Sequence, residues 1–136
     1  MNRIMLDTSA YVAFKQGRDE ALQIIRYADR IGVSTIVIGE LLAGFKHGAR
    51  TTNNRAELSQ FLDSGRVVIE TVTETTAQYY AELYAALRRK GKPVPSNDLW
   101  IAASALENAY ALYTYDAHFG FIDTLIAGKQ LADFRL

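Results

Sequence analysis

The stretch Arg3-Ile4-Met5-Leu6-Asp7-Thr8-Ser9, residues 3–9, decides the fold class. Its first four residues form a short apolar run of the kind found in strands that are buried on both faces. The run stops at Asp7-Thr8-Ser9, whose polar side chains can cap a following helix. The chain is therefore predicted to begin with a strand, a polar turn and a helix.

The same alternation continues along the chain. Three more short strands are predicted at residues 32–35, 66–69 and 111–114. Helices are predicted at residues 19–31, 36–46, 55–63, 73–90 and 98–108. A turn is expected at residues 115–119, and the pattern of residues 122–136 is too weak to predict an element.

Two of these helices carry specific expectations. Helix 19–31 is expected to end at Gly32, in the left-handed conformation common after a helix. Helix 73–90 is expected to bury one apolar stripe and to end in basic residues that suit the helix dipole. The stripe consists of Ala77, Tyr80, Ala81, Tyr84 and Leu87.

Short buried strands that alternate with helices are typical of a mostly parallel sheet covered on both faces. We therefore predict a three-layer α/β/α domain. A chain of 136 residues holds one core of ordinary size, so residues 1–136 are expected to form a single domain. Ligands of such sheets bind outside the carboxyl ends of the strands.

Composition limits the classes of function. Lys plus Arg number 15 and Asp plus Glu number 15, so no net charge attracts the whole molecule to polyanions. Cysteine is absent, which excludes disulfide scaffolds and thiolate zinc sites. The start lacks the apolar stretch of a signal peptide, and no run approaches the roughly 18 apolar residues of a membrane span. We expect a soluble cytoplasmic protein with no membrane partner.

Four acids fall where such a sheet binds its ligand. Asp7 follows the first strand, Asp116 follows the last predicted strand, and Asp98 opens a helix. Glu40 interrupts an otherwise apolar helix that is expected to be buried. Because clustered carboxylates repel each other and no Lys or Arg lies within two residues of Asp7 or Asp116, the expected partner is a hard cation, Mg²⁺ or Mn²⁺. Hydroxyls suited to orienting a carboxylate, a water or a phosphate oxygen lie beside two of the acids, at Thr8, Ser9 and Thr114.

The chemistry that fits such a site is phosphodiester hydrolysis. A bound divalent ion lowers the pKa of a water and stabilises charge on a transferring phosphoryl group. Each acid also has a purely structural interpretation. Asp7 and Asp98 can be helix caps, Asp116 can be a turn residue, and Glu40 can face solvent on a one-sided helix. The arrangement of all four favours the metal site over these alternatives.

Four motifs carry a resemblance to a known family. They are MLDTSAYVA at residues 5–13, IGELLAGF at 38–45, PVPSNDLWIAASAL at 93–106 and LYTYDAHF at 112–119. In order and spacing they resemble the four acidic motifs of the PIN domain, and most closely those of the VapC toxins of bacterial and archaeal toxin–antitoxin pairs. The resemblance spans Met5 to Phe119.

The resemblance implies a PIN-like fold and a Mg²⁺- or Mn²⁺-dependent endoribonuclease. The family's catalytic, metal-binding acids match Asp7, Glu40, Asp98 and Asp116. The family's hydroxyl positions match Ser9 and Thr114, although many members have Asn in place of Ser9. It further implies a homodimer and a small VapB-like antitoxin that docks on a hydrophobic surface and occludes the acids.

Several other side chains are candidates for contact with an RNA substrate. Tyr115 lies beside Asp116 and can stack on a base, as in readers of single-stranded RNA. The basic helix end can contact phosphates, but a solvated surface that only complements the dipole is the favoured interpretation. Its residues are Arg88, Arg89 and Lys90. His47 and His118 have no second histidine or thiol at ligand spacing, so neither is expected to be catalytic.

A second class of function stays open at this point. A PIN-like fold can serve as a binding module that holds a protein or an RNA without cutting it. The presence of all four acids favours the nuclease.

Overall fold

The computed structural model describes residues 1–135 and contains a five-stranded parallel sheet flanked by helices. The strands are β1 (Arg3–Leu6), β2 (Arg30–Ser34), β3 (Val67–Glu70), β4 (Ala111–Tyr113) and β5 (Ala127–Gly128). Their order is β3-β2-β1-β4-β5, and every neighbouring pair is parallel. Met5 in β1 pairs with Gly32 on one side and Leu112 on the other. The predicted α/β/α architecture is confirmed.

Six α-helices cover this sheet in the described residues. They are α1 (Thr8–Lys15), α2 (Asp19–Tyr27), α3 (Thr35–Lys46), α4 (Thr51–Leu62), α5 (Glu74–Lys90) and α6 (Ser96–Glu107). Short 3₁₀ turns follow at Ala117–Phe121 and Leu131–Asp133. Within residues 1–135, no helix is long and apolar enough to span a membrane.

The core centres on β1 and on the alanine-rich helix α6. Met5 and Leu6 are fully buried, as expected for a strand covered on both faces. Ala102, Ala103 and Ala105 are also fully buried, and α6 packs against β2, β4 and α5. Because these side chains are small, α6 can lie close to the sheet, which brings its first turn to the carboxyl ends of the strands.

The predicted boundary between helix 19–31 and the next strand was wrong. Helix α2 ends at Tyr27, and Gly32 lies inside β2 without a left-handed conformation. Residues 30–34 pair with strands on both sides, and this pairing outweighs the local helical pattern. A glycine is needed there because a Cβ at Gly32 would lie 2.7 Å from the ring of Tyr110.

The predicted apolar stripe of α5 was wrong in part. The fully buried side chains are Thr76, Leu83 and Leu87, and Tyr80 is half-buried. Three members of the predicted stripe are exposed, namely Ala77, Ala81 and Tyr84. The buried face is the one that packs on α6, and it includes Thr76, which is part of the capping box with Thr73 and donates a hydrogen bond to Glu107 of α6 (2.6 Å).

Two further expectations are corrected. Helix α3 is not buried all round, because only Val37 and Leu41 are fully buried and Glu40 is half-buried. The weakly patterned tail contains β5, which pairs with β4 through Leu112 and Tyr113. Leu136, the last residue of that tail, lies outside the described residues.

Candidate active site

The four predicted acids lie around the carboxyl edge of the sheet. Asp7 directly follows β1, and Thr114 and Asp116 follow the neighbouring strand β4. Helix α3 begins where β2 ends and carries Glu40, while Asp98 lies in the first turn of α6. This is the edge at which parallel α/β sheets bind ligands.

Asp7 is a buried carboxylate that is held by hydroxyl groups. Its side chain is only 6% exposed. Its Oδ2 accepts a 2.7 Å hydrogen bond from Thr114 Oγ1 and a 3.3 Å bond from Ser9 Oγ. Asp7 occupies the N-cap position of α1, but its side chain makes no capping hydrogen bond. Burial, and then the charge of Glu40, raise the pKa of Asp7, while the hydroxyl hydrogen bonds oppose the rise.

Glu40 is oriented by two neighbours. Thr8 Oγ1 donates a 2.6 Å hydrogen bond to Glu40 Oε1, and Asn97 Nδ2 donates a 3.3 Å bond to Oε2. The predicted hydroxyl at Thr8 therefore orients Glu40. Asn97 was not among the predicted site residues, and the available signal was its position directly before Asp98 on the first turn of α6.

Asp98 experiences the charges of the other three acids. Burial raises its pKa to about 6, and Asp116, Asp7 and Glu40 contribute to the rise in that order, while His118 opposes it. Pro95 holds the N-cap position of α6, so Asp98 is not the cap of that helix. The four carboxylates thus share one electrostatic environment.

Asp116 combines a turn role with a place in the acidic cluster. Its Oδ1 accepts a 2.9 Å hydrogen bond from the His118 amide and caps the 3₁₀ turn that follows. The same oxygen lies 3.1 Å from His118 Nδ1. The structural interpretation of Asp116 is therefore correct, yet the residue also adds its charge to Asp98.

The hydroxyls join the two strand ends. Thr114 Oγ1, which donates to Asp7, accepts a 3.0 Å hydrogen bond from the Asp116 amide. Ser9 Oγ, which also donates to Asp7, accepts a 3.1 Å bond from the Tyr115 amide. These bonds fix β1 and β4 to each other at the site.

The donor set fits a divalent cation. One ligand atom from each of Asp98, Asp116 and His118 lies within 4.8 Å of the others. Hard divalent cations prefer carboxylate oxygens, and an imidazole nitrogen is better suited to Mn²⁺ than to Mg²⁺. Besides burial, the charges of Asp116, Asp7 and Glu40 raise the pKa of Asp98, and such a cation would offset their repulsion. Sequence reasoning discounted His118, although its position two residues after Asp116 was the signal.

Tyr115, two residues after the end of β4, makes several contacts within the protein. Its hydroxyl lies 2.8 Å from the Tyr113 hydroxyl and donates a 3.3 Å bond to Glu20. The Arg18 guanidinium lies 4.7 Å from the centre of its ring. These contacts occupy the hydroxyl and one ring face, and the predicted contact of Tyr115 with RNA stays a prediction.

The three basic residues at the end of α5 have different surroundings. Lys90 Nζ bonds to Asp123 Oδ1 (2.7 Å) and to the Phe121 carbonyl (2.9 Å). Arg88 Nη1 donates a 2.8 Å bond to the Tyr84 hydroxyl, and Arg89 is exposed. Lys90 is thus held by intramolecular bonds, so the three basic side chains are not equally available to contact a substrate.

The chain is similar to one protein family and to several known proteins over most of its length. The PIN domain family matches residues 4–124. Ribonuclease VapC5 of Mycobacterium tuberculosis is 37% identical over 123 residues, which is 88% of this chain and 87% of the relative. Ribonuclease VapC2 of Rickettsia felis is 32% identical over 127 residues, which is 90% of this chain and 93% of the relative.

Two solved structures contain chains that are similar to this one. The complex VapBC2 from Rickettsia felis, bound to a DNA fragment from their promoter, contains a chain with TM-score 0.79 and 29% identity, covering 93% of this chain and 97% of that one. The VapBC-5 toxin–antitoxin structure from Mycobacterium tuberculosis gives TM-score 0.70 and 31% identity, covering 94% and 97%.

Proposed function

The chain belongs to the PIN domain family, and we propose that it is a divalent-metal-dependent endoribonuclease that acts as the toxin of a toxin–antitoxin pair. Relatives named ribonucleases match it over most of their length, and similar chains have been solved in toxin–antitoxin complexes. These similarities support an RNA-cutting activity in this chain.

The clustering of the four acids supports a metal-dependent activity independently of the family match. Asp7, Glu40 and Asp116 come from three separate parts of the chain, yet the charge of each adds to the effect of burial, and together they raise the pKa of Asp98 to about 6. Such mutual repulsion costs folding free energy. A cluster of this kind is understandable if a cation binds there and converts the repulsion into coordination.

We assign Asp7, Glu40, Asp98 and Asp116 as the residues that would hold Mg²⁺ or Mn²⁺. When bound, the ion supplies an acidified water and stabilises the charge that develops on the phosphodiester. Thr114 fixes Asp7 on the β4 side. The protein thus contributes orientation and a preorganised field.

The supporting hydroxyls act by orienting carboxylates. Ser9 holds Asp7, and Thr8, with Asn97, fixes the plane of the Glu40 carboxylate. Loss of any of these bonds would let a carboxylate rotate away from the geometry that an ion requires. We therefore treat Thr8, Ser9, Asn97 and Thr114 as positioning residues.

The substrate is proposed to be a particular folded RNA. The chain has 15 basic and 15 acidic residues, so strong sequence-independent affinity for a polyanion is not expected. Recognition through shape and unpaired bases fits this charge better.

The partners are proposed from the family. We expect a VapB-like antitoxin, because chains similar to this one were solved as VapBC complexes. We also expect a homodimer that acts in the cytoplasm.

The test is an incubation of purified protein with total tRNA and rRNA in Mn²⁺ or Mg²⁺, with and without chelator. Discrete fragments that disappear with chelator are expected from the wild type and from Asp63→Asn, an exposed acid at the end of α4 that serves as the matched control. Asp98→Asn should give none. RNA binding without cleavage in every ion would instead favour the binding module.

A further inference from the structure

We propose that a cleft between the end of α5 and the start of α6 holds one base of the RNA substrate beside the bond that is cut. This inference rests on the proposed ribonuclease function and names a subsite for its substrate. It is carried by the shape of the cleft, by a row of aromatic rings, and by the charges at its rim.

The cleft has a volume of about 300 Å³, at the lower end of the roughly 300–1000 Å³ typical of ligand pockets. Its apolar surface comes from Leu87 of α5, from Val94 of the connecting loop, and from Leu99 of α6. Tyr84, Arg88 and Lys92 also line the cleft, together with Gly91 and Pro93. Among the described residues, none of those that line the cleft is acidic.

A row of stacked rings leads into this cleft. Trp100 and Tyr80 stack with ring centres 4.2 Å apart, and Tyr80 and Tyr84 lie nearly parallel at 6.4 Å. The row continues to Arg88, whose guanidinium carbon lies 5.5 Å from the Tyr84 ring centre. Tyr84 is 45% exposed, so part of its side chain is accessible to solvent at the mouth of the cleft. A nucleobase is flat and can extend such a row.

The charge at the rim suits the phosphates on either side of a base. Arg88 is held in place by its 2.8 Å hydrogen bond to the Tyr84 hydroxyl. Lys92 lies with its Nζ 5.3 Å from the centre of the Phe121 ring. Two cations beside an apolar, aromatic cleft favour a nucleotide over an apolar peptide.

The cleft also lies next to the proposed chemistry. Leu99 is the residue after Asp98, and consecutive Cα atoms are about 3.8 Å apart. Consecutive side chains of a helix point about 100° apart, so the cleft and the four acids lie on neighbouring faces of the first turn of α6, and one RNA strand would reach both with different nucleotides. Position and chemistry together define a specificity site for an unpaired base.

The experiment measures binding of a short, single-stranded, fluorescein-labelled RNA of mixed sequence by anisotropy, with chelator present so that nothing is cut. Tyr84→Leu should weaken binding roughly fivefold to a hundredfold, the range expected for loss of one stacked base. Tyr84→Phe keeps the ring and loses only the hydrogen bond from Arg88, so it should bind RNA more tightly than Tyr84→Leu does. The same RNA with abasic positions should bind the wild type more weakly and should no longer distinguish it from Tyr84→Leu.

Two substitutions that each remove one positive charge test whether the rim of the cleft contacts phosphate. Lys92→Gln should weaken RNA binding and flatten its salt dependence, because a phosphate contact is lost. Arg26→Gln should change neither, because Arg26 lies near the end of α2, which leads to the start of β2 at the opposite edge of the sheet. If Tyr84→Leu fails to fold, as judged by circular dichroism, Lys92→Gln still decides the case.

Unchanged RNA affinity in a folded Tyr84→Leu protein overturns the base site. Loss of self-association with unchanged RNA affinity overturns it too, because the cleft would then be a protein interface. The proposed function is tested separately by cleavage in Mn²⁺. A wild type that cuts RNA while Tyr84→Leu binds normally refutes only the base site, whereas a wild type that binds through the cleft and cuts nothing refutes only the nuclease.

Discussion

Thr114 connects β4 to the buried carboxylate of Asp7 through a single hydroxyl. The hydroxyl donates to Asp7 and accepts from the Asp116 amide, so it orients two acids at once. A buried carboxylate that loses its donor keeps its desolvation cost without compensation. Residues of this kind would act by positioning the carboxylates of the proposed site.

Replacement of this hydroxyl tests its role. We expect Thr114→Val to lower the free energy of unfolding by about 1–3 kcal/mol, because the partner of a buried carboxylate is removed. The pKa of Asp7 should rise further. Urea unfolding in chelator measures the first effect, and Mn²⁺ titration calorimetry should show weaker binding. Thr114→Ser keeps the hydroxyl and should stay close to the wild type, and equal loss in both variants would contradict the role of the hydroxyl.

Because of Asp98, the folding stability of the metal-free protein is expected to depend on pH. Its pKa is raised from 3.8 to about 6 in the folded state, so the folded protein holds this proton more tightly than the unfolded chain. The stability contributed by the bound proton is full below pH 3.8, declines as the pH rises, and is lost above about pH 6. At neutral pH, Asp98→Asn should therefore melt at a higher temperature than the wild type when both are in chelator.

Added Mn²⁺ should reverse that order. At about 100 times its Kd the ion stabilises the wild type by roughly 2.7 kcal/mol, whereas Asp98→Asn should gain far less. Asp63→Asn, at the exposed end of α4, is the matched control and should respond as the wild type does. Identical melting of wild type and Asp98→Asn, with and without Mn²⁺, would mean that the four acids do not form one metal site.

At the scale of the element, the sequence predicts the strands well and the helix faces less well. Parallel strands are short apolar runs whose signal is local, which explains why residues 3–6 and 111–113 were found. The start of β2 was missed because Arg30 and Ile31 continue a helical pattern, and only pairing with two neighbouring strands decides their structure.

The close approach at Gly32 gives a prediction for β2. We expect Gly32→Ala to destabilise the protein by about 1–3 kcal/mol, because its Cβ would lie 2.7 Å from the Tyr110 ring in a packed core. Gly39→Ala on α3 is the control, since nothing lies within 4 Å of its Cβ and alanine favours a helix by roughly 0.5–1 kcal/mol. Urea unfolding of both variants should show opposite signs, and a neutral Gly32→Ala would contradict the packing.

At the scale of the whole molecule, the candidate site follows from topology. Four acids scattered between positions 7 and 116 could be placed together from sequence because parallel strands end at one edge. Asn97 and His118 lie within two residues of a predicted acid, but position in sequence alone does not give their roles, since these depend on which way a helix turn and a 3₁₀ turn face. The cleft beside Leu99 could not be predicted from the sequence either, because it arises from the packing of α5 on α6.

The last prediction concerns growth of a cell that makes this protein. If the chain is a toxin, its expression without an antitoxin should arrest growth and translation, because the proposed nuclease would then cut cellular RNA without inhibition. Asp98→Asn should relieve the arrest, since it removes a proposed ligand from the centre of the acidic cluster, while Asp63→Asn should stay toxic. Growth curves with immunoblots for equal expression make the comparison, and melting of the purified variants in chelator confirms that each is folded. A folded Asp98→Asn protein that arrests growth as strongly as the wild type would remove Asp98 from the catalytic residues, because the proposed role in binding the ion depends on the charge of its carboxylate.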